Sequence, residues 1–167
     1  MTAMEKNTAG TALAKAGKYL TFKLAVEEYG LEILKVQEIM KMVEVTKIPR
    51  TPDYVRGVIN LRGKVIPVVD LRLKFGMEAL DTTVKTCVIV VQVKRNDSTV
   101  TMGIIVDEVS EVLDVTSEQI EPSPEFGSTV NTDFILGMGK VGKRVITLLD
   151  VDKVLSSGEL TVVGKLA

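Results

Sequence analysis

Residues 53–71 read DYVRGVINLRGKVIPVVDL, and this stretch decides the fold. Two runs of β-branched and aliphatic residues, 58–61 and 65–69, flank the tripeptide 62–64. Because Gly63 can adopt the positive φ of a tight reversal, the pattern predicts a β-hairpin with Arg62 beside its turn. From the pattern alone, the simplest interpretation of this arginine is a solvated turn charge.

A second copy of the pattern lies 80 residues further along the chain, where Gly137 aligns with Gly57 without a gap. An upstream segment repeats at an offset of 73 residues and aligns Glu38 with Glu111. Both matches are short and low in identity. Their common order nevertheless predicts one β unit that is used twice.

Composition excludes several classes of protein. The 167 residues suffice for one ordinary domain or two small lobes, and with 46% apolar residues, 26% charged residues and a net charge of −1 the chain resembles neither a disordered tail nor a polyanion binder. Histidine is absent from the sequence, which removes the commonest metal ligand and the usual neutral-pH base. No run reaches the roughly 18 apolar residues needed to cross a bilayer. We therefore expect a cytoplasmic protein without a cofactor or metal.

Catalytic groups are scarce. The single thiol, Cys87, stands in an apolar strand pattern at 86–91, which favours a buried and inert cysteine. The carboxylate pairs 27–28 and 107–108 could serve as acid and base, but neighbours in a strand point to opposite faces. We expect a protein that is not an enzyme.

The pattern along the chain predicts an all-β fold with short helices, in which each half closes as a five-stranded barrel. We expect a flexible tail at 1–17, a domain at 18–158 and a C-terminal tail at 159–167. The domain divides into lobes at about 18–82 and 83–158, with the exchange of strands between the lobes left open.

Three local features add detail. Leu20, Phe22, Leu24 and Val26 alternate with less apolar residues, which predicts a strand with one buried face. Residues 35–42 fit a helical turn or a strand, and 43–48 predict a further strand. Asp70 and Asp150 are predicted to cap short helices at 71–75 and 151–155.

Four motifs follow one another along the chain: YGLEILKVQEI at 29–39, GVINLRG at 57–63, PVVDL at 67–71 and GIIVD at 103–107. In this order they resemble the motifs of the CheW family, the chemotaxis coupling proteins. The pairing of NLRG with PVVDL is the most specific part, because a hairpin alone does not require those residues. The likeness runs from about Tyr19 to Leu155.

The resemblance implies two SH3-like barrels packed together and a non-enzymatic adaptor. Such an adaptor joins the cytoplasmic helical hairpin of methyl-accepting chemoreceptors to the regulatory domain of the histidine kinase CheA, in membrane-bound receptor arrays, without nucleic acid or membrane insertion. Two alternatives stay open: a CheW-like regulatory module of a larger signalling protein, or a small ligand-binding barrel that uses Asp70, Asp107 and Glu111.

The resemblance also implies contact residues. Arg62 and Glu38 would fix the register of a receptor helix, although Glu38 could instead pair with a basic residue of its own barrel. The full set expected at the receptor is Val36, Glu38, Ile39, Gly57, Arg62, Gly63 and Val106. The set expected at the kinase, for which ordinary core positions are an equal interpretation, is Met42, Val43, Val45 and Phe126.

Overall fold

The computed structural model of the chain describes residues 16–95, 97–122 and 133–155, with only the backbone of Arg95. The first half carries β1 (Gly17–Leu24), β2 (Glu27–Glu32), β3 (Val36–Lys41), β4 (Val55–Leu61), β5 (Lys64–Asp70) and helix α1 (Leu71–Lys74). The second half carries β6 (Cys87–Arg95), β7 (Ser98–Val106), β8 (Glu108–Val115), β9 (Ile120–Glu121), β10 (Ile135–Val141), β11 (Arg144–Leu149) and helix α2 (Val151–Val154). Nearly all of the predicted tails, 1–17 and 159–167, lies outside the described residues.

The strands form two sheets, and each curls into a barrel. Barrel 1 has the order β3-β6-β7-β5-β4, and Thr46, downstream of β3, closes it through an antiparallel bridge to Val58 of β4. Barrel 2 has the order β8-β1-β2-β11-β10-β9, and its edge strands β8 and β9 are joined by one 3-10 turn, Ser117–Gln119. The predicted all-β fold of two barrels with short helices is confirmed, and barrel 2 has six strands where five were predicted.

The repeat seen in the sequence is present in three dimensions. The units β4-β5-α1 and β10-β11-α2 coincide at an offset of 80 residues, and each first strand has a bulge in front of its glycine, Gly57 or Gly137. In parallel pairs, Gly103 lies opposite Val68 in barrel 1 and Gly30 lies opposite Leu148 in barrel 2. β2 and β7 are therefore equivalent strands.

The two repeats exchange their first hairpins. β1 and β2 come from the first repeat but lie in barrel 2, whereas β6 and β7 come from the second repeat but lie in barrel 1. Each barrel thus combines two strands of one repeat with the remaining strands of the other. The exchange that the sequence left open is present, so the strands of the predicted lobes, 18–82 and 83–158, are divided between the two barrels.

The largest hydrophobic cluster lies between the barrels, and a smaller one fills each interior. Aromatic rings cross the central cluster in series, with centroid distances of 5.8, 5.8 and 5.1 Å along Phe22, Tyr29, Phe75 and Phe134. The barrel 1 interior holds Ile59, Leu61, Ile66, Val68, Val88, Val90 and Ile105, and the barrel 2 interior holds Tyr19, Val115, Ile146 and Leu148. Full burial of each such side chain stabilises the fold by about 1.5–3 kcal/mol.

Most local predictions hold, and the exceptions have physical causes. Asp70 and Asp150 cap α1 and α2 by accepting backbone N–H bonds. Of the two structures predicted for residues 35–42, the strand is present as β3, which follows the 3-10 turn Ile33–Lys35. The predicted strand at 43–48 is wrong apart from the single bridge at Thr46, and Val26 is exposed because it lies in the tight turn between β1 and β2.

Candidate functional site

The turn between β4 and β5 holds an arginine in a conformation that suits glycine. Arg62 has φ 51° and Gly63 has φ 89°, so both residues of the two-residue turn are left-handed. Such turns favour Asn-Gly, and a residue with a long side chain there destabilises the hairpin by about 1 kcal/mol. The Gly63 N–H donates to Asn60 Oδ1 at 2.7 Å, which fixes the turn.

Arg62 reaches across the mouth of barrel 1 to Glu38 on β3. Arg62 Nη1 donates to Glu38 Oε1 at 3.1 Å, and Nη2 donates to Oε2. The hydrogen bond from Arg62 lowers the pKa of the Glu38 carboxyl and raises that of the guanidinium. The arginine side chain is 68% exposed against 27% for the glutamate, so a second carboxylate can still approach the guanidinium. The pairing of Glu38 within its own barrel, which the sequence left open, is therefore present.

A bulge in β3 places the apolar side chains of Val36 and Ile39 on one face of the strand and Glu38 on the other. Val36 and Glu38 lie opposite Val91 and Val90, so Gln37 is an extra residue. Val36 and Ile39 face the same side as the core between the barrels, since their partners Val91 and Ile89 belong to that core. Ile39 is 43% exposed, which leaves part of its side chain at the surface beside the core between the barrels.

Two of the residues expected at the receptor, Val106 and Gly57, have structural roles. Val106 is completely buried in the core between the barrels, so its side chain cannot join a surface strip, and that expectation is wrong. Gly57 has φ 142°, and a Cβ there would lie 2.0 Å from the carbonyl oxygen of Thr46. This glycine is needed for the close approach of the two chain segments that closes barrel 1.

The residues expected at the kinase differ in their burial. Met42 and Val45 are half-buried against the interior cluster of barrel 1, whereas Val43 is exposed. Phe126 lies outside the described residues. The sequence pattern missed three exposed aliphatic side chains near the two hairpins, Val65, Val112 and Val145. The repeat was the signal that could have found them, because it pairs Val65 with Val145 and Ile39 with Val112.

Barrel 2 carries a related but more enclosed ion pair. Arg144 donates to both oxygens of Glu28 at 2.9 and 2.6 Å and to Glu111 at 3.1 Å. Glu111 is the repeat equivalent of Glu38. The hydrogen bond from Arg144 lowers the pKa of Glu28, and the two carboxylates raise the pKa of the guanidinium. The arginine side chain is 37% exposed and already has two acidic partners.

A carboxylate fastens the chain at each of the two places where it crosses between barrels. Asp107, between β7 and β8, accepts from Arg72 at 2.8 Å and from the N–H of Ala25 at 2.7 Å. Burial alone would raise the pKa of Asp107, but these hydrogen bonds outweigh it and hold the pKa below its usual value. We name this contact the β7–β8 joint.

At the other crossing, between β2 and β3, Asp152 of α2 accepts from Lys35 Nζ at 2.8 Å and from the N–H of Lys94 at 2.9 Å. Lys94 holds the same place in its hairpin as Ala25 does in the β1–β2 hairpin. At the β7–β8 joint the carboxylate comes from the connecting segment and the cation from the helix. At this second crossing the cation comes from the connecting segment and the carboxylate from the helix. We name this second contact the β2–β3 joint.

The carboxylates suggested for a ligand-binding barrel are all ion-paired. Asp70 pairs with Arg56 at 2.9 Å, and Asp107 and Glu111 pair with the arginines described above. A surface pocket of about 810 Å³ lies between residues 47–53 and 79–82, and none of the three lines it. Among the described residues, no group of three His, Cys, Asp or Glu side chains could hold a metal, and no helix is long and apolar enough to span a membrane.

Known proteins match almost the whole chain. The family model for the CheW-like domain matches residues 18–159. The chemotaxis protein CheW of Klebsiella aerogenes is 45% identical over 150 residues, which cover 90% of this chain and 88% of that protein. The chemotaxis protein CheV3 of Helicobacter pylori is 28% identical over 134 residues, which cover 79% of this chain and 42% of CheV3. The crystal structure of the scaffolding protein TtCheW from Thermoanaerobacter tengcongensis has a TM-score of 0.75 at 36% identity, and the match covers 86% of this chain and 97% of TtCheW.

Proposed function

Since this chain belongs to the CheW family, we propose that it is a non-enzymatic adaptor that couples the cytoplasmic tip of methyl-accepting chemoreceptors to the histidine kinase CheA. The task requires two docking surfaces on a rigid body and no reacting group. A chain that acts at the receptor tip works in the cytoplasm and is recruited to the membrane-bound array by the receptor itself.

The observation that carries the receptor part of the proposal is the strained and exposed Arg62. A left-handed arginine lowers the stability of its own hairpin, and such strain persists where function requires it. The equivalent position in barrel 2 is Gly142, so the hairpin itself does not need the arginine. The guanidinium offers a planar set of donors that fits a carboxylate on a partner helix.

The surroundings of Arg62 suit a helix that docks along the cleft between the barrels. Such a helix needs aliphatic anchors and a few charges at the rim to set its register. Ile39 and the half-buried Val36 supply apolar surface on the cleft side of β3. Glu38 and Arg62, on the other side of the strand, would then recognise charged groups of the helix.

For the kinase, we propose docking of barrel against barrel through exposed aliphatic side chains. Clustered apolar groups on a protein surface commonly mark a partner site. Val43 and Val65 are the exposed candidates in barrel 1, with Val145 in barrel 2. Met42 and Val45, on the same segment as Val43, pack against the interior cluster of barrel 1 and would support that surface.

The test is charge reversal at the arginine. We expect Arg62→Glu to weaken capture of a receptor signalling fragment by about tenfold to a hundredfold, because a partner carboxylate would lose its donor. Binding is measured by isothermal titration, with the circular dichroism spectrum and melting temperature as checks of folding.

The matched control is Lys143→Glu, which makes the same change of charge in the turn of the barrel 2 hairpin. We expect that variant to bind like wild type. Unfolding of the Arg62→Glu protein would show that Arg62 is structural, and equal weakening by both variants would show that only net charge matters.

A second candidate is a CheW-like module within a longer signalling protein. The match to CheV3, which covers only 42% of that protein, favours it because domains of this kind occur in longer chains. An immunoblot of cell extract decides between the two. A band near 18.2 kDa supports an independent adaptor, and a much larger band supports the module.

A further inference from the structure

A side-chain hydrogen bond fixes the central peptide of the turn that carries Arg62. The N–H of that peptide belongs to Gly63 and donates to Asn60 Oδ1 at 2.7 Å. The turn has φ 51° at Arg62 and φ 89° at Gly63, which are the signs of a type I′ turn. In type I and type II′ turns the same peptide faces the opposite side of the hairpin. A bond to this N–H therefore selects type I′ over those two arrangements.

The type of turn decides whether an arginine can occupy its first position. In type I′ the first residue lies in the left-handed helical region, which an arginine can adopt with some strain. In type II′ the first residue has a backbone conformation that is nearly confined to glycine. Arg62 can therefore stay left-handed at the tip of the hairpin only while the following peptide keeps its present orientation.

Barrel 2 shows the hairpin without this bond. The position equivalent to Asn60 is Lys140, whose amine pairs with Glu121 at 3.1 Å and gives the turn no acceptor. Gly142, in the first position of that turn, has φ 63°, and Lys143, in the second, is not left-handed. These are the signs of a type II′ turn. The asparagine before the turn and the arginine within it thus occur together in barrel 1, and the equivalent hairpin has neither.

Barrel 1 itself does not require asparagine at this position. Ile59 and Leu61, on either side, are buried in the barrel interior, whereas Asn60 is exposed and lies opposite the exposed Val65. Asparagine is disfavoured in strands, and a β-branched residue would pair better with a valine. The choice of asparagine is therefore explained by the turn and not by packing.

We propose that Asn60 is a positioning residue for the receptor contact: it fixes the peptide between Arg62 and Gly63 and so holds the arginine left-handed at the tip of the hairpin, within reach of Glu38. A guanidinium presented from a fixed backbone loses less conformational entropy when a partner carboxylate binds, so affinity rises without a new contact. This inference rests on the proposed receptor function. It adds that a neutral side chain outside the ion pair decides how Arg62 is displayed.

The first experiment follows the free protein by NMR. In Asn60→Ala the Gly63 amide loses its acceptor, and we expect its exchange with water to become about threefold to tenfold faster. Asn60→Lys, which introduces the residue of barrel 2, should produce the same change. Lys140→Ala, at the equivalent site, should leave the Gly63 amide unaffected. Unchanged exchange in both Asn60 variants would overturn the proposal.

The second experiment measures capture of the receptor signalling fragment by isothermal titration, with the melting temperature as the check of folding. We expect Asn60→Ala and Asn60→Lys to weaken capture by about threefold to tenfold, because the arginine is no longer held in one conformation. Lys140→Ala should bind like wild type. Capture at wild-type strength by both Asn60 variants would show that Arg62 needs no such support, and the proposal would be wrong.

A double-mutant cycle with Arg62→Gly shows whether Asn60 acts through the arginine. In that background the turn has no arginine to position, so Asn60→Ala should change the residual capture by less than about twofold. Equal weakening in both backgrounds would overturn the proposal, because Asn60 would then act independently of Arg62. If wild type itself fails to bind the fragment, the receptor function falls and the positioning role with it, whereas the exchange experiment still shows whether Asn60 holds the turn.

Discussion

The turns of the two repeated hairpins differ at both positions, which are Arg62-Gly63 in barrel 1 and Gly142-Lys143 in barrel 2. Barrel 1 has Arg62 at φ 51° where barrel 2 has Gly142 at φ 63°. Barrel 2 instead carries its arginine on the strand, as Arg144, with two carboxylate partners and 37% exposure, whereas Arg62 has one partner and 68% exposure. Both turn residues of barrel 1 have a positive φ, whereas in barrel 2 only Gly142 does. The repeated hairpin therefore forms without an arginine at its turn, and Arg62 is a feature of the site and not of the fold.

Features common to both barrels show what the fold itself requires. Each has an aspartate that caps the short helix, a bulge before the hairpin glycine and a parallel pair that joins the two repeats. The difference between barrels can therefore be tested by paired substitutions at equivalent positions. The largest loss of stability is expected at a glycine where two backbone segments are in close contact.

Gly57→Ala should be the most damaging change, with Gly137→Ala as its counterpart. A Cβ at Gly57 would lie 2.0 Å from the Thr46 oxygen, against 2.8 Å from the Glu121 oxygen at Gly137, and only Gly57 has a positive φ. We expect losses in the free energy of unfolding of about 3 kcal/mol or more for Gly57→Ala and about 1–2 kcal/mol for Gly137→Ala. Urea denaturation measures both. A Gly57→Ala protein as stable as wild type would contradict the close approach that closes barrel 1.

The second-largest difference in the free energy of unfolding is expected between the β7–β8 joint and the β2–β3 joint. At the β7–β8 joint, Asp107→Asn leaves a largely buried arginine without its carboxylate, whereas the β2–β3 joint involves a lysine and more exposed groups. We expect Asp107→Asn to destabilise by about 2–3 kcal/mol and Asp152→Asn by about 1 kcal/mol. Thermal and urea unfolding at neutral pH provide the comparison, and equal losses would refute the ranking of the joints.

The same pair predicts a pH dependence. The pKa of Asp107 is lower in the folded protein than its reference value of 3.8, so the unfolded chain binds more protons on acidification. The stabilisation is complete well above the unfolded pKa and is lost as the pH falls through the folded one. Wild type should therefore lose more stability than Asp107→Asn below about pH 5. If the two proteins lost equal stability as the pH falls, the contact between Asp107 and Arg72 would be contradicted.

Exchange of the turn residues should give the smallest changes in stability and the clearest separation from binding. Arg62→Asn creates the Asn-Gly pair that such turns favour and should raise the free energy of unfolding by about 0.5–1 kcal/mol while weakening capture of the receptor fragment. Gly142→Arg should lower stability by about 1 kcal/mol and leave capture intact. A destabilised Arg62→Asn protein would mean that the pair with Glu38 outweighs the strain.

Local signals in the sequence predicted the local structure. The Arg62-Gly63 turn, the helix caps at Asp70 and Asp150 and the repeat depend on neighbouring residues or on direct comparison of segments. The hairpin exchange could not be read in this way, because it depends on β2 pairing with β11 more than a hundred residues later. Burial of Val106 was missed for a related reason, since the sheet that carries it is covered on both faces.

The candidate site was predicted in part. Arg62 and Glu38 were named from the family resemblance, but their mutual bond joins residues 24 positions apart and needed the barrel to become visible. The strand expected at 43–48 failed because the chain crosses β4 at Gly57 and makes one bridge there. A residue pattern indicates which side chains share a face of a strand, but it carries no signal for the passage of one backbone segment over another.

The exchange of hairpins also bears on the way the protein is made. On the ribosome, β1 and β2 emerge first, but their barrel lacks its remaining strands until β11 has been synthesised. Cotranslational folding cannot finish either half in turn, since contacts between distant parts of a chain form late. A nascent chain of this kind leaves its earliest hairpin exposed to chaperones and proteases until synthesis is nearly complete.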